Sequence, residues 1–182
     1  MDKNSDKKIY EVVSRQQIYE GSRISLYKYG YTTPDGHIAK KDIVEHRGAA
    51  AMIAIDDEGK MLFVRQYRCS AGRQTLEIPA GTLEKGENPQ ICAEREIEEE
   101  TGYKAKSITH LFDMYSAIGF CTEVLHIYVC KCLTKTKQNL DEDEFINVER
   151  YTPQEAVEMI MQGKIVDGKT ISAVFYYINS CK

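Results

Sequence analysis

The sequence predicts an α+β fold, a mixed β-sheet held between helical layers. Two observations carry that expectation: segments of strand character outnumber helical ones, and the helical segments fall mid-chain and at the end. A third, the length of 182 residues, fits one domain with at most a small appendage. Residues 1–8 are polar and expected to fray. Residues 22–33, SRISLYKYGYTT, set Ile24 and Leu26 among tyrosines in the two-residue period of a strand. Pro34-Asp35-Gly36 turns the chain, because proline fixes one dihedral and glycine permits a positive one, and a strand returns along 37–46. Two more strands, AAAMIAID (49–56) and KMLFVRQYR (60–68), are joined at Asp57-Glu58-Gly59. Thr75 to Ala80 is a short apolar segment ending at Pro79, and Gly81 opens a loop. Asn88-Pro89 supplies an N-cap and a first-turn proline, and Gly102 stops the helix that they start. Strands are expected at 106–115, 123–133 and 144–150. Thr152-Pro153 caps a helix running through about 162, and a last helix starts near Thr170 with Ile171, Val174, Phe175 and Ile178 on one face.

Composition removes several classes of function. An apolar fraction of 42% with 29% charged residues argues against wholesale disorder. Lys plus Arg is 24 against 28 for Asp plus Glu, and no local basic patch stands out, so no nucleic-acid partner is expected. No apolar run approaches the roughly 20 residues of a membrane-spanning helix, and the start MDKNSDKKIY has no secretory character. A cytoplasmic enzyme without membrane contact is the expectation. The six cysteines (Cys69, Cys92, Cys121, Cys130, Cys132, Cys181) contain no C-x-x-C. Cys130 and Cys132 are expected to point the same way along a strand, and all six read as reduced thiols. His37, His46, His110 and His126 are scattered and predict no metal cluster, so any metal is expected to be held by oxygen.

The chemistry concentrates in residues 81–103, GTLEKGENPQICAEREIEEETGY, where five of the seven residues from Glu94 to Glu100 are glutamate. At roughly 100° per residue, Glu96 and Glu100 lie within about 40° of each other and Glu99 about 60° to the other side of Glu96. Glu94 and Glu98 face away, and Ala93 and Ile97 form the apolar stripe that seats the helix. Like charges at that spacing repel, and far more so in a partly buried cleft. A hard divalent ion with oxygen ligands answers the repulsion, and Mg²⁺ is the ion of that kind expected here.

That segment resembles the Nudix box: Gly81, five residues, Glu87, seven residues, Arg95-Glu96, the apolar Ile97, one residue, Glu99-Glu100, one residue, Gly102 and Tyr103. Only Tyr103, at a position more often aliphatic, departs from the pattern. The likeness extends to the ADP-ribose pyrophosphatase branch of the Nudix hydrolases over most of residues 20–180. Phe63 to Arg68, Leu76 to Gly81, Asp141 to Phe145 and the closing helix carry it. The resemblance implies an α/β/α sandwich around a mixed sheet, with residues 47–182 as the hydrolase domain. It also implies that residues 1–46 are an N-terminal strand region exchanged in a homodimer.

The same resemblance implies roles. Glu96, Glu99, Glu100 and the Ala80 carbonyl hold Mg²⁺ (Mn²⁺ can substitute), and Arg95 steadies Glu87 or a neighbouring carboxylate. The acidic run Asp141-Glu142-Asp143-Glu144 matches the loop that carries the catalytic base. Glu142 falls on the base position and Glu144 on a further metal position, with either able to be the base. Arg68 and Glu123 match substrate contacts, Arg47 and Arg65 are weaker candidates, and Lys41-Asp42 stands where the branch often has an Arg-Glu pair from the partner subunit. The implied reaction is Mg²⁺-dependent hydrolysis of a nucleoside diphosphate sugar, ADP-ribose to AMP and ribose 5-phosphate. One marker is missing: Ile118, within Ser116-Ala117-Ile118-Gly119-Phe120, replaces the branch's proline. GDP-mannose or another nucleotide sugar is therefore the alternative substrate. A nucleotide-sugar sensor without catalysis is a distant third reading, since the box is intact.

Overall fold

The computed structural model describes residues 10–142 and 144–180. The fraying expected of residues 1–8, and the residues Asp143 and Cys181, lie outside that set. The chain divides into two compact units: residues up to Arg47 with Ala117–Glu123, and Gly48–Ser116 with Val124 onward.

The first unit is an antiparallel meander of β1 (Val12–Glu20), β2 (Ile24–Thr32) and β3 (Ile38–His46), in that spatial order. The β2–β3 turn has Gly36 at φ 85° and closes with Gly36 N–H donating to Thr33 O at 2.9 Å. Segment 117–123 docks on β3, where Val44 N–H donates to Phe120 O at 2.7 Å and Thr122 N–H to Val44 O at 2.9 Å. Strand β1 falls in the region 1–46 that the resemblance implies to be strands, but no periodicity marks it. Every one of its residues is exposed, so neither face is selected to be apolar and the alternation that marks a half-buried strand is missing.

The second unit holds β4 (Ala49–Ala54), β5 (Met61–Arg68), β6 (Arg73–Glu77), β7 (Ala80–Thr82), α1 (Pro89–Thr101), β8 (Tyr103–Tyr115), β9 (Val124–Lys135), β10 (Asn147–Tyr151), α2 (Pro153–Met161) and α3 (Gly168–Ser180). One sheet runs β7-β4-β9-β8, with β4 and β9 parallel and the other pairs antiparallel; the second runs β10-β5-β6, all antiparallel. The α+β class with a mixed sheet is therefore as expected.

Strict alternation along two buried strands sorts the helices into layers. Ala49, Ala51 and Ile53 of β4, with Met61 and Phe63 of β5, pack with Ala156 of α2 and Ala173 and Val174 of α3. Ala50, Met52 and Ala54, with Leu62, face the other way onto Cys92, Ala93 and Ile97 of α1. Burial of the larger of these side chains, such as Ile53, Phe63, Met52 and Leu62, contributes on the order of 1.5–3 kcal/mol each. The helix starts are capped: Asn88 Oδ1 accepts from Gln90 N–H, and Thr152 and Glu155 form a capping box.

Several boundaries differ from expectation for local reasons. β7 is three residues long, too short to show a period. β8 begins at Tyr103, directly after the helix stop. α3 begins at Gly168 because Asp167 is its cap, accepting from Thr170 N–H at 3.0 Å. Cys130 is buried but Cys132 is exposed, with φ 54°, so the backbone departs from regular strand there and the expected common facing fails. Cys69, Cys92, Cys121, Cys130 and Cys132 are all free thiols.

Candidate active site

The acidic helix α1 lies against β7 because its start and stop are both fixed. At its end, Gly102 takes φ 67°, which glycine adopts without strain, and its N–H donates to Glu98 O. A Cβ there would also press on the backbone of Lys137 and Gln138. The chain after β9 closes over this end of the helix. Asn139 N–H donates to Glu99 O at 3.0 Å, Thr136 N–H to Gly102 O at 2.7 Å, and Gln138 Nε2 to Glu100 O at 2.7 Å. These donors satisfy carbonyls a helix end leaves open, and they anchor the segment that leads into Asp141 and Glu144.

On the face of α1 turned to β7, Glu100 is only 4% exposed, and its Oε2 accepts from Ala80 N–H at 2.9 Å. Burial pushes the Glu100 carboxyl up to about 8, the Ala80 hydrogen bond opposes this, and the charges of Glu96 and Glu144 add to it. The neighbouring Glu96 is also raised, by burial first, then by Glu99 and Glu144, with Arg95 holding it back. Gly81 explains how Glu96 fits: a Cβ at this position would overlap the Glu96 carboxylate. The absent side chain makes room for the acid.

Arg95 is the hub of the cluster. Its Nε and Nη2 fork onto Glu87 at 3.1 Å each, while Nη1 donates to Glu96 at 2.6 Å and Glu99 at 3.0 Å. Glu87 also accepts from Glu84 N–H at 2.8 Å, and the Arg95 bond holds its carboxyl below the ordinary range. Among the described residues no three carboxylates bring ligand atoms within 4.8 Å of one another. Arg95 draws Glu96 and Glu99 toward itself while Ala80 keeps Glu100. The donor set nonetheless fits a hard divalent cation: all-oxygen ligands, two of them carboxyls raised by burial and by neighbouring acids.

A second buried carboxylate lies close by in sequence. Glu77, at 3% exposure, accepts two hydrogen bonds from Arg68 at 2.9 and 2.8 Å, one from Lys169 Nζ at 2.5 Å and one from Thr75 Oγ1 at 2.7 Å. Against the cost of burial these donors hold its carboxyl down at about 2. The Arg68 fork is thus engaged by Glu77, and Arg65 is paired with Glu149. Glu144 is half-buried and accepts from Asp141 N–H at 3.4 Å, and its charge reaches both Glu96 and Glu100; Glu142 is exposed.

In the first unit, Glu123 faces His46 Nδ1 at 3.3 Å, and Arg47 Nη2 donates to Ser22 O at 3.4 Å. Asp42 pairs with Lys28 at 3.5 Å on the exposed face of β2–β3, and Lys41 is exposed.

Three features escape sequence reasoning. Gln138 and Glu77 act through partners 38 and 92 residues away, which no spacing announces. The expectation that the histidines form no cluster is corrected: His110 and His126 both meet Asp113 across β8 and β9. Only the strand register could have revealed that meeting.

Residues 45–174 match the NUDIX domain family. The chain is 40% identical over 168 residues to the ADP-ribose pyrophosphatase of Bacillus subtilis (strain 168), covering 91% of each. It is 42% identical over 174 residues to the methanol dehydrogenase activator of Bacillus methanolicus, covering 93% of this chain and 94% of that one. Among solved structures, one described as an ADP compounds hydrolase superposes with a TM-score of 0.81 at 18% identity, covering 93% of this chain and 92% of the other, a likeness of fold.

Proposed function

We propose a reaction from one premise: this chain belongs to the NUDIX family and is a hydrolase of phosphoanhydride bonds. The substrate is a nucleoside diphosphate sugar, and we assign it as ADP-ribose. Water adds across the diphosphate: one P–O bond forms to the incoming hydroxyl as the bridging P–O bond breaks, giving AMP and ribose 5-phosphate. The observation that carries this reading is the buried Glu100 beside Glu96, the latter accommodated by the bare backbone of Gly81.

A divalent ion held here, Mg²⁺ with Mn²⁺ able to substitute, would supply charge neutralisation for the diphosphate and a lowered pKa for the attacking water. Glu96, Glu99, Glu100, Glu144 and the Ala80 carbonyl are the groups that would hold it. Arg95 keeps Glu87, Glu96 and Glu99 in one array from a single guanidinium, a geometry that lysine cannot reproduce. Glu142, exposed on the loop beyond the Asn139 anchor, takes the proton from the attacking water, while Glu144 serves the ion. Arg68, steadied by Glu77, presents positive charge toward the phosphates. Lys41, Asp42, Arg47 and Glu123 are assigned to the nucleotide sugar, with residues 1–46 making the contacts of a cytoplasmic homodimer.

Ile118 favours a second substrate, GDP-mannose or another nucleotide sugar, because the proline that marks the ADP-ribose branch is absent. Purified protein with Mg²⁺ is tested on ADP-ribose, GDP-mannose, UDP-glucose, NADH and diadenosine polyphosphates, with release of nucleoside monophosphate as the readout. ADP-ribose is expected to have the highest kcat/KM. No hydrolysis of any of them with Mg²⁺ or Mn²⁺ would reject the catalytic reading. Glu142→Gln is expected to lower kcat at unchanged metal affinity, and Glu144→Gln to lower both.

A further inference from the structure

Strand β8 carries an irregularity that changes which side chains meet. In a regular strand His110 and Asp113, three residues apart, project to opposite faces. The register against β9 shifts between His110 and Phe112: His110 stands opposite Tyr128, and Asp113 stands opposite His126. The extra residue is a β-bulge, and beyond it the facing of every side chain is reversed. His110 and Asp113 therefore share the face on which His126 lies directly across the ladder.

The result is a compact three-residue constellation. His110 Nε2 lies 2.7 Å and His126 Nδ1 2.8 Å from the same oxygen, Asp113 Oδ1. The three ligand atoms all fall within 4.8 Å of one another. The His110 ring is steadied edge-on against Tyr128, with centroids 5.4 Å apart. Four-coordinate zinc bonds imidazole nitrogen and carboxylate oxygen at about 2.0–2.2 Å, which places neighbouring ligand atoms about 3.3 Å apart. Admitting an ion thus requires each imidazole to retreat from the carboxylate by about half an ångström. Two imidazoles and one carboxylate leave a fourth position for water, and this donor set prefers zinc and its transition-metal neighbours to magnesium.

We propose that His110, Asp113 and His126 form a binding site for one divalent transition-metal ion, a clasp between β8 and β9. It differs in ligand chemistry from the all-oxygen cluster on α1, so the two can be loaded separately.

The test uses the full chain at pH 7.5 in excess Mg²⁺, titrated with Zn²⁺ by calorimetry, beside His110→Ala, Asp113→Asn and His126→Ala. The wild type is expected to bind one zinc per chain, with affinity reduced at least about tenfold in each variant. The variants keep the wild-type rate of Mg²⁺-supported hydrolysis. Equal zinc uptake by wild type and variants, or none in the wild type, would overturn the site. A second measurement needs no variant: Co²⁺ added in excess Mg²⁺ is expected to give the intense visible bands of a four-coordinate ion. The pale spectrum of the hexaaqua ion would count against the proposal.

Discussion

Glu77 and Glu100 are the same residue type, nearly equally buried, within one unit, and they end at opposite extremes. Glu77 is surrounded by Arg68, Lys169 and Thr75 and is held at about 2, whereas Glu100 has one backbone N–H and two acidic neighbours and rises to about 8. Burial raises both carboxyls; the donors around Glu77 outweigh it, and those around Glu100 do not. A compensated buried acid is a rivet between β6 and α3. A poorly compensated one favours a cation beside it, which is the part proposed above for Glu100.

Substitutions that exchange or erase this contrast follow in order of expected effect. Glu100→Gln keeps an acceptor for Ala80 N–H but removes the ligand charge, and turnover is expected to fall by roughly 10³-fold or more. Wild-type-like circular dichroism would accompany that loss, and activity retained in saturating Mg²⁺ would contradict the assignment. The same variant carries a pH signature in metal-free protein. Between the ordinary carboxyl value of 4.5 and about 8 only the folded state binds the Glu100 proton, so stability falls as pH rises through that window. Melting temperatures across pH 5–8 are expected to slope downward in the wild type and to flatten in Glu100→Gln.

Glu77→Gln attacks the other member of the pair. It leaves Arg68 and Lys169 facing a neutral amide and is expected to cost about 3 kcal/mol in denaturant unfolding. Its linkage runs the opposite way: stability is present above 4.5 and is lost as pH falls toward 2, and the variant blunts that acid limb. Gly81→Ala displaces the Glu96 carboxylate, and a misplacement of that size is expected to lower kcat roughly 10²-fold. The smallest effect is expected from Gln138→Ala, about 1 kcal/mol in thermal unfolding, through the lost bond to Glu100 O.

Elements with a strong local signal were legible in the sequence. Asn88, Pro89 and Gly102 bracket α1 to within a residue, and β4 and β5 follow their apolar runs. β1 was not legible, because a strand exposed on both faces has no period to read, and β7 is too short to have one. At the site, the helical angle places Glu96, Glu99 and Glu100 on one side of α1, since that depends only on local geometry. The depth difference between Glu99 and Glu100, the Arg68–Glu77–Lys169 network and the histidine pair depend on what the fold brings across from other strands and helices. The bulge in β8 shows the limit most sharply, because one inserted residue reverses every facing beyond it.

The clasp of residues 136–139 over the end of α1 sets a leash on the acids that follow. From Asn139, bonded to Glu99 O, only three residues lead to Glu142, at most about 10 Å of extended chain. The proton acceptor proposed at Glu142 is thereby kept close to the last turn of the helix. Lengthening this loop would cost little in stability and, on the proposed role of Glu142, would lower the rate by diluting that carboxylate at the site.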